Sequence, residues 1–331
     1  SDLDLKPVGS GMMRLVEYVP DQVSRYERND DYWDPEAVKL ARIEIYIQKS
    51  SPTRLNMLRT GEAELTYLLP PDAAAARTMV NVAPSKSKSI MSLYLNPGEP
   101  PFDDVRVRQA LEHAINKEAL VQGVFLGAGQ PVAQFIPPDH WAYHPDINPE
   151  NPEFAYDPDR AREILAEAGY PNGFEFEFLI PALDDHRAIG EALVPMLAEV
   201  GMTARPRVIE SATTPVTFYG NGEGNAFPGM GSPFPDPTVP YLGNLPGQYA
   251  NPWNVTSQEF IDALQSSLEG TSQDERIPAL HKMIEEDKRI RKNVPMFLAT
   301  PPSAWTDNVI FPEGYTPAYA PHFRGVCVAA P

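Results

Sequence analysis

The chain has 331 residues, of which 27 are basic and 45 acidic, and its net charge is −18. This acidity argues against a nucleic-acid partner, which would need a basic face. No stretch approaches the ~18 consecutive apolar residues of a membrane span, and a single cysteine, Cys327, excludes an internal disulfide or a paired-cysteine redox site. The length, with apolar residues at 42%, suits a folded protein of two lobes.

The sequence of the first ninety residues predicts short strands and short helices. Apolar-rich or alternating segments favour strands, and Pro52 and Gly61 mark the start and the end of a helix. The predicted strands are 13–19, 23–28, 43–47 and 63–69, and the predicted helices are 52–60 and 71–79.

From residue 90 onward, strands alternate with longer helices, which predicts an α/β layer architecture. The helix at 105–115 carries Val107, Ala110, Leu111 and Ala114 on one apolar stripe. The predicted strands are 90–96, 174–180 and 203–209, and the predicted helices are 105–115, 117–124, 159–168 and 185–200.

Residues 211–256 are rich in glycine, proline, asparagine and aromatic residues and show no regular period. A long apolar stretch of this kind inside a domain usually serves function, so we expect an irregular loop that carries the site. Helices at 258–268 and 274–291 and a short strand at 296–299 follow, and the tail from residue 301 is predicted to be irregular.

The candidate chemical motifs favour structural roles. His140 and His144 have the spacing of metal ligands, but the prolines around them favour a solvated loop. Asp185 and His186 open a helix, where an acid complements the dipole, and the charged run 285–291 is interpreted as a solvated helix face.

The sequence contains no phosphate loop, dinucleotide fingerprint or nucleophile elbow. We therefore expect no enzymatic activity, no cofactor and no metal site. A hydrolase with an unrecognised motif remains an alternative.

Short motifs occur in a fixed order along the chain. The most specific is PFDDVRVRQAL at 101–111, followed by AINK at 114–117. The others are VGSG at 8–11, ERNDDYW at 27–33, GEAE at 61–64 and a helix signature at 156–170. Together they resemble solute-binding protein family 5, the peptide and nickel-chelate receptors of ABC importers, over nearly the whole chain.

The resemblance implies an α/β fold of the periplasmic-binding-protein-like type II class, with two lobes joined by a hinge. Residues 1–95 and 299–331 would form part of lobe I, and residues 96–298 would form lobe III. Residues 94–96 and 297–300 would be the hinge crossings. Because family members carry an export signal or lipid anchor, the first strands of lobe I and a domain II ahead of VGSG, we expect these segments to precede residue 1.

The segment MGSPFPDP at 230–237 would lie at the cleft. Peptide receptors of the family resemble W-x-x-D-Y-x-x-P here, and their aspartate pairs with the peptide ammonium. Pro233 stands at that aspartate and cannot neutralise a buried cation. The segment instead resembles the WGAPYDP of nickel-chelate receptors. We therefore expect a metal chelate, an opine-like or sugar-like compound or an apolar molecule, and not a simple free peptide.

Nine residues are expected to contact the solute. The aromatic residues and the methionine would supply apolar or stacking surface, and Asn96 and Ser232 would supply hydrogen bonds. Asp236 precedes a proline and also suits a turn. The nine are Tyr94, Asn96, Thr213, Phe227, Met230, Ser232, Phe234, Asp236 and Phe297.

The function that the resemblance implies is that of the periplasmic or extracellular binding component of an ABC importer. Its partners would be a small solute and a membrane permease, without nucleic acid, and closure would bury the solute between the lobes. The alternative is the ligand-sensing domain of a transcriptional regulator, since some regulators join a family-5-like domain to a DNA-binding module.

Overall fold

The computed structural model describes residues 7–84, 89–231, 234–313, 315 and 323–329. The chain divides into two compact units, residues 1–87 with 300–331 and residues 88–299. No helix in these described stretches has both the length and the apolarity to cross a bilayer.

The helices and strands follow the predicted order closely. The strands are β1 (Met13–Val19), β2 (Val23–Arg28), β3 (Arg42–Tyr46), β4 (Leu65–Tyr67), β5 (Asn81–Ala83), β6 (Ile90–Leu95), β7 (Gly129–Pro131), β8 (Phe174–Pro181), β9 (Met202–Ile209), β10 (Ala226–Gly231), β11 (Asn293–Ala299), β12 (Ser303–Trp305), β13 (Val309–Ile310) and β14 (Cys327–Val328). The helices are α1 (Ser51–Thr60), α2 (Pro70–Ala76), α3 (Val105–Ala114), α4 (Lys117–Phe125), α5 (Pro158–Glu167), α6 (Asp184–Glu199), α7 (Val239–Leu242), α8 (Gln258–Glu269) and α9 (Gln273–Ile290).

The first unit contains two small antiparallel sheets, β1-β2-β3 and β4-β12-β5. The predicted β1–β2 hairpin is confirmed, with Asp21 at a left-handed φ of 56° in its turn. The prediction of an irregular tail is wrong, because β12 lies between β4 and β5 and β13 pairs with β14. These strands have two or three residues each and distant partners, so no local period reveals them.

The second unit is built on a six-stranded sheet of order β7-β11-β6-β10-β8-β9. Strand β6 runs antiparallel to β10 and β11, whereas β10 and β9 each run parallel to β8. Helices α3, α4, α5 and α6 share one buried apolar core with this sheet. This arrangement confirms the predicted α/β architecture.

Local sequence explains where three of these helices begin. Asp104, Asn116 and Asp157 precede α3, α4 and α5, and each side-chain oxygen accepts a backbone N–H from the first turn. Such caps satisfy donors that have no partner inside the helix. These caps therefore fix where the helices that cover the sheet begin.

The second unit begins one strand earlier than the boundary expected from the sequence. Strand β6 precedes residue 96, yet it belongs to this unit because both of its edges hydrogen-bond within the sheet. The two segments expected as hinge crossings include residues of β6 and β11, two strands that are neighbours in this sheet. The assignment of the units to lobes I and III remains a prediction.

The expected irregular loop at 211–256 contains a central strand, so that prediction is wrong for β10. The sequence of β10 is AFPGMG, in which glycine and proline mask any strand period. Its place between β6 and β8 is set by tertiary contacts. The rest of the stretch holds 3₁₀ and π turns at Ser211–Thr213 and Val216–Gly220 and the short helix α7.

Most of the charged run at 285–291 is buried, which corrects the interpretation as a solvated face, although the side chains of Arg289 and, in part, Glu285 reach solvent. Glu286, Asp287 and Lys288 are each 4% exposed. The ammonium of Lys288 pairs with the fully buried carboxylate of Glu112 on α3, which also accepts a 3.0 Å hydrogen bond from Lys117. The spacing of charges along one helix is the same on a solvent-exposed face and on a buried face whose ion-pair partners lie on other helices. Sequence alone therefore does not distinguish the two.

Candidate functional site

The second unit encloses a cavity of about 420 Å³, here called the aromatic cavity, beside the central strands of its sheet. Strand β6 contributes Tyr94, and β10 contributes Phe227 and Met230. Loop residues Phe135 and Trp253 form further parts of the wall. Volume and apolar lining suit a small organic molecule.

Stacked and edge-on rings make up much of the wall. Tyr94 and Phe227 are register partners on β6 and β10, and their ring centroids lie 5.0 Å apart in a stacked pair. The fully buried ring of Phe218 does not line the cavity itself but supports two rings that do: its centroid lies 4.7 Å from that of Phe227 and 5.5 Å from that of Trp253, both edge-on. Tyr219 lies 6.0 Å from Trp253. Such a wall favours flat or apolar groups.

Two glycines allow these rings to lie where they do. A β-carbon at Gly229 would lie 2.8 Å from the Phe227 ring and 2.9 Å from the Tyr94 ring. A β-carbon at Gly98 would lie 2.1 Å from the Trp253 indole. The close approach of backbone to ring therefore depends on the missing side chain at both positions.

The polar groups of the wall are few. Burial raises the pKa of Tyr94 to about 12 and holds the pKa of Tyr219 well above its usual range. Both phenols are therefore neutral hydrogen-bond donors at physiological pH. In the described lining, Lys292 is the one charged side chain, and Asn244 and Asn293 add amides.

Four of the nine predicted contact residues line this cavity: Tyr94, Phe227, Met230 and Phe234. Ser232, together with the neighbouring Pro233, lies outside the described residues. The fold therefore brings together, around one cavity, four of the side chains that were expected to offer an apolar or stacking surface.

Three of the predicted residues lie away from the cavity lining. Asn96 is buried, and its amide oxygen accepts the N–H of Gly98 at 3.0 Å. Thr213 donates its hydroxyl to the backbone carbonyl of Glu210 at 2.9 Å. Phe297 is fully buried in the core. Asn96 thus positions the glycine on which Trp253 packs.

Asp236 is engaged by a neighbouring helix. Its two carboxylate oxygens accept hydrogen bonds from Arg276 on α9 at 2.9 and 3.0 Å, and one of them also accepts the N–H of Thr238. Hydrogen bonds from Arg276 and Thr238 hold the pKa of Asp236 at about 2, against the effect of burial. The geometry is that of a turn anchored by a bidentate ion pair.

Sequence reasoning did not find Phe135, Tyr219, Trp253 or Lys292 as parts of the wall. Phe135 lies in a proline-rich loop, and Tyr219 and Trp253 lie in the irregular stretch that was expected to carry the site. The sequence signal that could have identified these three residues is their aromatic character. Lys292 follows the charged run of α9, which offers no local mark that separates it from a surface lysine.

The histidine motifs take structural roles. The ring of His144 lies 3.3 Å from the carboxylate of Glu285 and contacts the ring of His281. Asp185 accepts the backbone N–H of His186 in the first turn of α6. No group of three metal-ligating side chains occurs among the residues described.

A second cavity of about 540 Å³ lies elsewhere in the same unit and includes Asn116, Lys117, Tyr143 and Phe154. Its lysine is already paired with Glu112. This second cavity is the alternative to the aromatic cavity as a binding place for the solute.

Comparisons with known proteins agree on one family. Residues 1–251 match the bacterial extracellular solute-binding proteins, family 5 Middle. The chain is 33% identical over 220 residues to heme-binding protein A of Haemophilus influenzae. The matched region covers 63% of this chain and 39% of that protein. It is 31% identical over 213 residues to di/tripeptide-binding protein 1 of Pseudomonas aeruginosa, at 62% and 39% coverage.

The fold agrees with solved relatives. The periplasmic binding protein DppA from Helicobacter pylori, in complex with the peptide STSA, matches at a TM-score of 0.85 and 25% identity over 98% of this chain and 64% of that chain. The chain spans 39% of the length of the two curated relatives. Its α/β fold is that of the type II periplasmic binding proteins, and the chain belongs to the bacterial extracellular solute-binding proteins of family 5.

Proposed function

We propose that this chain acts as the solute-binding component of an ABC importer and holds a small solute against the aromatic cavity. The observation that carries the proposal is a cavity of about 420 Å³ with stacked rings in its wall, inside a chain of this family. The protein would act in the periplasm or outside the cell, where a lipid anchor would keep it near its membrane permease. It would bind its solute without converting it.

The solute that we propose is not a simple free peptide. The relatives are named for heme or for di- and tripeptides, so their names do not agree on one solute. The described lining of the aromatic cavity contains no carboxylate that could pair with a peptide ammonium. Burying that cation unpaired would cost several kcal/mol.

The regulator alternative gains no support from these relatives, because they are named as binding proteins. The same names are consistent with a protein that has no catalytic activity. The hydrolase alternative has no observation in its favour.

A thermal-shift panel on the full-length protein tests the proposal. The panel contains di- to pentapeptides, nickel–histidine chelates, sugars and opine-like or aromatic carboxylates. A ligand at one hundred times its Kd should add about 2.7 kcal/mol to the unfolding free energy. We expect stabilisation by non-peptide compounds; stabilisation by free peptides alone would contradict the proposed solute class.

A cavity-blocking variant provides the control. A β-carbon at Gly231 meets its neighbours at 3.5 Å or more, so Gly231→Val should fold while its side chain occupies cavity space. Gly9→Val makes the same change where nothing lies within 4 Å. We expect Gly231→Val to lose the ligand-induced shift and Gly9→Val to keep it; equal shifts in both variants would place the solute elsewhere.

A further inference from the structure

Lys292 occupies a tight junction between helix and strand. Helix α9 ends at Ile290, Arg291 takes a left-handed φ of 51°, and β11 begins at Asn293. The carbonyl of Lys292 accepts the N–H of Leu95 at 3.0 Å, which ties the junction to the end of β6. The backbone of Lys292 is therefore held firmly beside the aromatic cavity.

The side chain of Lys292 is buried and has no partner in the described part of the chain. The residue is 5% exposed and belongs to the lining of the aromatic cavity, and its ammonium nitrogen is fully buried without a hydrogen-bond partner among the described residues. The buried lysines Lys117 and Lys288 differ, because both pair with Glu112. Most buried polar groups in proteins are satisfied, so this exception calls for an explanation.

The charges around Lys292 do not supply that partner. Asp287 attracts the ammonium and Arg108 repels it, but the ammonium makes no hydrogen bond to a carboxylate of the described residues. The carboxylate of Asp287 instead accepts a 2.8 Å hydrogen bond from Asn244. Burial lowers the pKa of Lys292 to about 8, so the side chain remains mostly cationic at neutral pH.

The rest of the described lining favours an anion beside Lys292. It contains aromatic, aliphatic and amide side chains and no aspartate or glutamate. A carboxylate in the cavity would find Lys292 as the one cation among the lining residues, with neutral phenols beside it; Asp287, which attracts the same ammonium, is not part of the lining. One ammonium matches the single charge of a carboxylate; a phosphate dianion would need more donors.

We propose that the Lys292 ammonium binds a carboxylate of the solute, so that preferred solutes have an apolar or aromatic body, one carboxylate and no free ammonium. This inference rests on the proposed function of the aromatic cavity.

Matched pairs of compounds test the assignment. The probes are 3-phenylpropionate with 3-phenylpropanamide, and N-acetyl-phenylalanine with N-acetyl-phenylalaninamide, titrated calorimetrically into the full-length protein. Within each pair a carboxylate is replaced by a neutral amide of nearly the same size and shape. We expect the carboxylate to bind at least about 10-fold more tightly than the amide, which corresponds to about 1.4 kcal/mol.

Variants at Lys292 show whether this side chain causes the preference. Lys292→Met and Lys292→Gln should keep the amide affinity within about 3-fold, roughly 0.65 kcal/mol, and lose most of the preference for the carboxylate. Lys292→Arg should restore part of that preference. Both neutral variants should melt no lower than the wild type, because they remove an unpaired buried cation.

The possible outcomes distinguish a failure of the role proposed for Lys292 from a failure of the proposed function. Equal affinity within each pair, or a preference that Lys292→Met and Lys292→Gln retain, overturns the role of Lys292 and leaves the proposed function standing. A large loss of stability in both neutral variants assigns Lys292 to Asp287 as a structural partner and likewise overturns the role. Silence of these probes and of the whole thermal-shift panel contradicts the proposed function itself.

Discussion

At the scale of single residues, Glu112 organises the buried charges of the second unit. Burial raises the pKa of Glu112, and the cations of Lys117, Lys288 and Arg291 overcome that effect and hold it at about 2. For Lys288 burial is the stronger effect, and it lowers the pKa to about 8 despite the bond to Glu112. One carboxylate thus makes it possible to bury two lysines between α3, α4 and α9.

Glu112→Gln should lower the free energy of unfolding by about 3–5 kcal/mol, because Lys117 and Lys288 would lose their buried counter-charge. Urea denaturation measures the change. Glu163→Gln, which removes an exposed carboxylate paired with Arg160 at 3.0 Å, is the control and should change little. Similar small effects in both variants would refute the buried network.

The pH dependence of stability gives a second readout of the same network. The folded-state pKa of Glu112 lies below its ordinary value of 4.5, so its contribution is fully present above about pH 4.5 and is lost as pH falls toward 2. Asp287 has the opposite sign, since burial raises its pKa from 3.8 to about 6, so that stability is lost as pH rises from about 3.8 to about 6. Glu112→Gln should therefore flatten the acid side of the profile.

At the scale of elements, helices with polar caps and apolar stripes could be predicted from sequence, and the central strand of the site could not. Asp104 and the stripe through Leu111 define α3 within one residue of its observed end. Strand β10 has no such local mark, because Gly229 and Pro228 reflect tertiary requirements: Gly229 leaves room for the rings of Tyr94 and Phe227. The stretch that the sequence marks as the site does contribute to the wall of the aromatic cavity, but its local structure at β10 differs from the prediction.

The loop between β6 and α3 should be sensitive to one methyl group. Gly98→Ala places a β-carbon where the Trp253 indole lies, so the ring must move or the loop must shift, at a cost of about 1–3 kcal/mol. Thermal unfolding and tryptophan emission measure stability and ring environment. We expect a lower melting temperature, altered emission and weaker solute binding.

Gly123→Ala is the matched control for this substitution. Gly123 lies inside α4, and nothing lies within 4 Å of an added β-carbon. Alanine should stabilise this helix by up to about 1 kcal/mol. If Gly98→Ala behaved like Gly123→Ala, close packing of Trp253 on Gly98 would be contradicted.

At the scale of the whole molecule, ordered motifs were enough to predict the family and the fold, whereas the solute depends on how distant segments meet. Lys292, Tyr94 and Trp253 are far apart in sequence and line one cavity. Residues such as Asp236 and Asn96 carried plausible polar groups, but the fold engages Asp236 with Arg276 and Asn96 with Gly98. Sequence could not separate a polar group that a neighbour satisfies from one that remains available to a solute.

The most direct test of the account is a structure of the full-length protein with a bound carboxylate solute chosen by the titrations. We predict that the solute body lies within about 4 Å of Tyr94 and Trp253, and that a carboxylate oxygen lies about 2.8 Å from the Lys292 ammonium. A solute seated in the second cavity, beside Tyr143 and Phe154, or anywhere else with the aromatic cavity unoccupied, would contradict it.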